Sequence, residues 1–517
     1  MYQQILDPVG DSLGLSAIFA ALPLLTLFVL LGVLRVKAWI AALAALGVAF
    51  VVAVAVYSMP VSQALLSTTE GAAFGFFPIL WIVINAIWVY NLTVASGHFD
   101  VLRRSFERVS PDQRIQAIII AFCFGALLEA LAGFGTPVAI TVVMLMALGF
   151  KPVKAAAVSL VANTAPVAFG ALATPIVTLG TVTSGVNDDP RLNTDTLGSM
   201  VGRQTPILAV VVPLVLVLLV DGRRGLRQTW LAAVVAGVSF GLAQFVASNY
   251  ISVQLTDIVA SLVSAATVVL LLRAWTPAES PVLTEPVRER ATVTGGGETV
   301  GAGLGAQGGT GTTRTAGGAT GTRTGGAGTT GTTTIERDPS GEVVKAYLPY
   351  IIIIAIFSIV NIGPVKDALG EKPWTFKFTW PGLDVLTSKG EPQASMTFKL
   401  DWLPAAGTLM ILAGVLTAIA LRISAQRALR AYADTYYELR WAILTVMAVL
   451  GLAYVMNQSG QTGTLGAFLA ETGGLFVLLS PIIGWLGVAV SGSDTSSNAL
   501  FGALQVQTAA KAGLDPV

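Results

Sequence analysis

Apolar runs near the length of a bilayer crossing recur along this chain, at 13–34, 38–57, 74–96, 203–220, 229–248, 256–272, 346–362, 403–421 and 438–456. A hydrocarbon core about 30 Å thick takes roughly 20 apolar residues in a helix, so these runs read as membrane spans. Composition agrees. Of 517 residues, 54% are hydrophobic and only 11% charged, against about 25% charged in soluble domains. A formal net charge of +1 excludes a bulk-electrostatic nucleic-acid binder. One cysteine, Cys123, excludes an intramolecular disulfide framework, and one histidine, His98, makes a His-rich metal site implausible. The expected fold class is an all-α polytopic membrane protein, with the lipid bilayer as its surroundings and no nucleic-acid partner. The first run is preceded by Asp7 and Asp11 rather than by a basic segment, so it reads as a retained span and not as a cleaved signal.

Composition collapses between the runs near 272 and 346. Residues 294–334 hold 16 Gly and 14 Thr among 41 positions, with nothing to bury, so 276–342 is expected to be a disordered linker. The 363–402 loop differs, since Trp374, Phe376, Phe378 and Trp380 let it fold onto the protein. Placing the N-terminus outside puts Arg35, Lys37, Arg103, Arg104, Arg108, Arg114, Arg223, Arg224, Arg227, Arg422, Arg427 and Arg430 inside, the side that basic loops favour.

Two stretches are apolar but broken. The stretch 115–184 is cut at Ala132–Pro137, at Lys151-Pro152 and at Asn163–Pro166; 473–511 is cut at Ser491–Asn498. With Arg114, Lys151 and Lys154 all inside, 115–150 should enter and leave on one face as a re-entrant hairpin. The stretch 153–184 then crosses as a broken helix. Three spans precede 115–150, and three precede 473–511 from the opposite side, which is the arrangement of inverted repeats. The expected organisation is a first repeat at 13–220, a connecting helix pair at 229–272, the linker, and a second repeat at 346–511 with its hairpin at 473–511.

Non-helical backbone at membrane depth is tolerated only inside protein or beside a watery cavity, so paired breaks point to a binding site. Thr136 is suited to cap a new helix with Pro137 following, and a half-helix N-terminus suits a carboxylate. Ala165-Pro166 and Thr174-Pro175 could open helices likewise. The candidate substrate residues are Gly133, Gly135, Thr136, Asn163, Thr164, Ser493, Thr495, Ser496 and Asn498. Glu129 beside the first break and Asp494 within the second are the candidate proton-coupling carboxylates, because intramembrane acids mark ion pathways by default. The competing reading makes Glu129 a structural carboxyl and Asp494 the cap of a helix starting at Thr495. No Lys or Arg lies inside 115–150 or 473–510, which favours a small monoanion over di- or tricarboxylates. His98 reads as a surface residue, Cys123 as packing, and Trp39, Trp230, Trp402 and Trp441 as interfacial anchors. No metal-ligand spacing, cofactor motif or hydrolase motif occurs, so no cofactor, metal or enzymatic activity is expected.

At these residues the chain resembles the L-lactate permease family of prokaryotic monocarboxylate transporters. The resemblance rests on Glu129–Ile140, Asn163–Gly170, Val201–Gln204, Pro481–Val488 and Ser491–Leu500, and runs through most of the chain outside the linker and the 363–402 loop. It implies uptake of lactate, and often glycolate, with protons at the plasma membrane, on a fold of inverted repeats and re-entrant hairpins. Two departures stand out. The family commonly has Glu-Gly-Ala-Ala where this chain has Glu129-Ala130-Leu131-Ala132. Family members also continue past the second hairpin, whereas this chain stops at Val517, so the partner of 153–184 is expected to be missing. The competing functions are a sodium-coupled carboxylate carrier, an Na+/H+ antiporter and an inactive fragment. Association with further copies of the chain is left open.

Overall fold

The structure, a computed structural model, describes residues 1–278 and 338–517 apart from 108, 134, 185, 187 and 188. Most of the expected linker, together with Arg108, Phe134, Asn187 and Asp188, therefore lies outside the described residues. Nine helical segments among the described residues are long and apolar enough to cross a membrane. Among these residues strand is confined to two two-stranded pairs, so the protein is an all-α polytopic membrane protein.

The first helices are α1 (Leu13–Phe28) and α2 (Ala38–Ala55). Next come α3 (Val61–Phe74) and α4 (Trp81–Ala95), which form one 35-residue run bent at Phe77, where φ −127° and ψ 121° leave the helical region. The sequence placed this span at 74–96. It begins 13 residues earlier because Gln63, Ser67 and Glu70 are buried against protein instead of lipid. A short α5 (His98–Glu107) follows. His98, expected at the surface, is half-buried and stands 3.3 Å from Glu342.

The first broken stretch contains α6 (Gln113–Gln116) and α7 (Gly125–Leu131), joined by wide π-turns at Ala117–Phe124, and then α8 (Thr136–Ala147). Gln113 Nε2 donates to the Leu148 carbonyl at 2.7 Å, so both ends of this hairpin lie together. After it come α9 (Pro152–Ala162) and α10 (Thr174–Thr183). The sequence expected separate spans at 203–220 and 229–248. They join as α11 (Thr194–Val246), broken only at Asp221 and Gly222. Its two arms fold back on each other, with Thr205 Oγ1 donating to Gln244 Oε1 at 3.0 Å. Arg114, fully buried, bonds Asp112, Asp221 and Gln228 and so ties the hairpin's root to that bend. Lys154 reaches the same bend through the Val220 carbonyl. The next span is α12 (Thr256–Ala274).

The remaining helices are α13 (Ser340–Val360), α14 (Gly363–Leu369), α15 (Ala406–Ala420), α16 (Ala425–Ser459), α17 (Gln461–Ala470), α18 (Phe476–Ser491) and α19 (Asp494–Lys511). The 363–402 loop does fold onto the protein. Of its strands, β2 (Phe376–Thr379) pairs antiparallel with β4 (Thr397–Leu400), and β3 (Val385–Leu386) pairs parallel with the N-terminal β1 (Tyr2–Gln3). Phe398 packs against Phe74 with ring centroids 4.4 Å apart and tilted by 43°, and the Gln63 side chain bonds Gly382 and Asp384.

Two apolar cores result. One gathers around Phe122, Phe124, Phe240 and Phe357; the other gathers around Leu27, Leu80, Val449 and Leu452. Helix α4 feeds both, and a seam of Phe169, Ile176, Val253 and Val506 lies beside the broken segments described next.

Candidate functional site

Three interruptions of helix converge on the start of α10. At the first, the chain reverses through Gly133 (φ +49°) and Gly135 (φ +83°), a left-handed conformation that L side chains resist. A Cβ at Gly133 would lie 3.2 Å from Ala171 Cβ and 3.7 Å from Glu129 Oε1, so the hairpin tip sits directly on the second break. There, 163–169 forms turns, with the Phe169 and Gly170 amides both donating to the Pro166 carbonyl. Ala165-Pro166 opens no helix. Leu172 (φ +47°) and Ala173 (φ +57°) are left-handed without being glycine, a strain of about 1–3 kcal/mol each that only surrounding structure can hold. Thr174-Pro175 then opens α10 as expected. At the third break Gly492 (φ +67°) turns the chain, and Asn498 Nδ2 donates to the Pro175 carbonyl at 3.0 Å.

Two capping expectations are corrected. The cap of α8 is Gly135, not Thr136, because the left-handed turn is completed only at Gly135 and Thr136 is already helical. The Thr136 N–H is taken by the Gly133 carbonyl and the Ala139 N–H by Gly135, while Pro137 has none, so this terminus is largely spent. The cap of α19 is Ser493, whose extended backbone lets its Oγ accept from the Ser496 N–H at 3.2 Å. Asp494 is thereby left as the first helical residue, with its carboxylate free of the capping role.

Among the predicted residues, Glu129, Gly133 and Asn163 come together: Glu129 is 6% exposed, and its carboxylate interacts with the Asn163 side chain. Its Oε2 has no hydrogen-bond partner. Thr495 is buried, whereas Gly135 and Thr164 are exposed.

Sequence reasoning missed two buried acids. Asp257, in the first turn of α12, is 2% exposed and accepts from Gln244 Nε2 at 3.0 Å through Oδ1, while its Oδ2 is unpartnered. Glu70, 0% exposed, accepts from Gln458 Nε2 at 2.6 Å. Asp257 stands in a first helical turn, where an acid reads as favourable to the dipole, and Glu70 lies just ahead of the apolar run at 74–96, where it reads as part of a loop. The available signal was a carboxylate with no basic residue within a helical turn.

A cavity of about 580 Å³ lies between α10, the bend of α3–α4 and the loop before α15, lined by Val177, Thr181, Tyr454, Gln254, Lys377 and Lys399 among others. A constriction of about 20 Å³ continues inward past Thr181 and Tyr454 to Asn457 and Leu500. None of the predicted substrate residues lines either space. The two lysines come from the β2–β4 pair, so basic groups absent from the broken stretches arrive through the folded loop.

Interrupted helices that meet in the interior of a multi-pass helical membrane protein, beside a cavity, are the arrangement found in transport proteins. The comparisons with known proteins agree. A profile of the L-lactate permease family matches residues 16–517. The chain is 38% identical to the L-lactate permease of Bacillus subtilis strain 168, over 100% of this chain and 88% of that protein. It is also 38% identical to the L-lactate permease of Escherichia coli K12, covering 99% and 87%, and to the glycolate permease GlcA of the same strain, covering 98% and 86%. No solved structure matches. The chain belongs to the L-lactate permease family.

Proposed function

We propose that this protein takes up small monocarboxylates, lactate and glycolate among them, together with a proton across a prokaryotic plasma membrane, with its N-terminus outside. The observation that carries the reading is Glu129, a buried carboxyl with an unpartnered oxygen at the hairpin tip, where two helix breaks touch. An ionised carboxylate in such surroundings is costly, so a proton that comes and goes there couples readily to movement of the tip. The substrate carboxylate would be held at the breaks by Thr136, Asn163, Thr164, Ser493, Thr495, Ser496 and Asn498, with Asp494 as the alternative proton site. A site built on amides and hydroxyls suits one negative charge.

Pairing of the two halves supports alternating access. The 35-residue runs Val61–Ala95 and Ala425–Ser459 are each followed by a ten-residue helix, α5 or α17, and then by a 19-residue apolar segment, Gln113–Leu131 or Gly473–Ser491. Helix α1 packs on α2 and α17, and α13 packs on α15 and α5. These are the relations expected if 13–220 and 346–511 are inverted repeats carrying re-entrant hairpins.

The test is uptake of labelled lactate into sodium-free proteoliposomes under an imposed proton gradient. Glu129→Gln should abolish uphill accumulation while lactate counterflow survives, because exchange needs no net proton movement. Undiminished pH-driven accumulation in that variant would remove Glu129 from the mechanism. Accumulation that required sodium would replace proton coupling altogether.

A further inference from the structure

The folded 363–402 loop holds two like charges where its own strand pairing should resist them. Lys377 on β2 and Lys399 on β4 are direct partners in the antiparallel register, so their side chains leave one face with Cβ atoms about 5 Å apart. Like charges so placed destabilise a strand pair. Both residues line the cavity of about 580 Å³ between α10 and the bend of α3–α4, within the range of about 300–1,000 Å³ common for small-ligand pockets. The pairing of β3 with β1 sets this loop on the same side as the N-terminus.

Four charged side chains line the cavity among the described residues: Lys377, Lys399, Asp195 and Asp401. Asp401 pairs with Lys399 at 2.8 Å, and Asp195 is held by Lys366 from beside the cavity. Lys377 enters no ion pair among the described residues. Three ammonium groups thus meet two carboxylates, and the surplus is one positive charge, at Lys377. Ser395 lines both the cavity and the constriction that leads on from it, and its buried Oγ has no hydrogen-bond partner. With about 20 Å³, the constriction has room for about one water. An anion entering from the cavity therefore stops at Ser395, Thr181 and Tyr454. Past them the constriction reaches Leu500 of α19, the helix whose Asn498 bonds the Pro175 carbonyl at the second break.

We infer that the 363–402 loop builds a capture site for the carboxylate of a small monoanion, with Lys377 as its charge, Lys399 beside it and Ser395 at its inner lip. This rests on the chain being a monocarboxylate carrier and adds the place where the anion waits before the breaks admit it. A monoanion between the two ammonium groups offsets their repulsion and matches the surplus of one charge. A lysine binds it as a point charge on a flexible stem, which holds the anion without locking its orientation. A cleft with a surplus of one sign also raises the local concentration of the opposite ion. The Ser395 hydroxyl can donate to the anion as the constriction widens. No bond is made or broken and no proton moves at this site.

The test measures initial rates of labelled lactate uptake against concentration, in membrane vesicles oriented with the N-terminal side facing the medium and under a proton gradient. At low ionic strength Lys377→Gln should raise KM about fivefold, the upper end for an exposed ion pair, with the maximal rate per inserted protein near wild type. Lys377→Glu should raise KM further, and Lys377→Arg should restore it. Lys389→Gln removes a charge of the same loop that lines neither space and should change nothing. Added salt should raise the wild-type KM toward that of Lys377→Gln, because exposed charges are screened. An unchanged KM in Lys377→Gln, or an equal rise in Lys389→Gln, would overturn the capture site and leave Glu129 and transport untouched. A lower maximal rate at unchanged KM would make Lys377 a strut of the loop and overturn it as well. Absence of saturable lactate uptake in the wild type would bring down the carrier reading itself.

Discussion

Gly133 shows how much one position can decide. Its φ of +49° and the 3.2 Å spacing a Cβ would have to Ala171 mean that Gly133→Ala adds both left-handed strain and a wedge between two breaks. Gly10, also left-handed at +60° but with nothing within 4 Å, separates the two effects. Gly133→Ala should cut lactate transport at least about tenfold, the equivalent of some 1.4 kcal/mol, in protein that still inserts; Gly10→Ala should leave transport near wild type. Initial uptake rates normalised to inserted protein check this. Arg114 is the second such residue. Arg114→Met would leave Asp112 and Asp221, 1% and 11% exposed, without their shared counter-charge. Breaking a buried pair in this way costs about 3–5 kcal/mol, so the unfolding midpoint in detergent should fall clearly. Both residues were visible in the sequence as a glycine at a break and a basic residue at a hairpin root. Their partners were not, because Ala171 and Asp221 lie far along the chain.

Among the elements, the crossing of α3 and α16 explains a discrepancy in length. Gln63, Ser67 and Glu70 fall in a stretch near 58–71 that reads as a short loop, yet these side chains are buried. A polar residue inside a membrane protein is tolerated when another helix satisfies it, and Gln458 does this for Glu70. Gly71 permits the approach: a Cβ there would stand 2.5 Å from the Leu450 carbonyl and 2.8 Å from Gly451 Cα, contacts with backbone that cannot swing aside. Gly71→Val should therefore force the helices apart and abolish a monodisperse folded fraction. Gly47→Val in α2, where nothing lies within 4 Å, should be tolerated. Size-exclusion profiles of the two variants distinguish them. Hydropathy could not reveal the crossing, since it scores each residue against lipid and not against a neighbouring helix.

Sidedness is a property of the whole molecule. Cys123 is the sole cysteine and is buried, so single cysteines introduced elsewhere report without background. With the N-terminus outside, Gly10→Cys should react with an impermeant maleimide in intact cells, while Lys37→Cys and Arg427→Cys should react only after permeabilisation. The reverse pattern would invert the orientation. What the sequence determined by itself was the class of fold, the positions of the breaks, the bend-forming glycines and the scarcity of charge, because a bilayer imposes length and polarity on each segment independently. Tertiary structure alone decided that the tip at Gly133 meets Ala171, that Asn498 reaches Pro175, and that the lysines of 363–402 line the cavity. Each of these is a contact between distant segments, set by packing that no local pattern encodes.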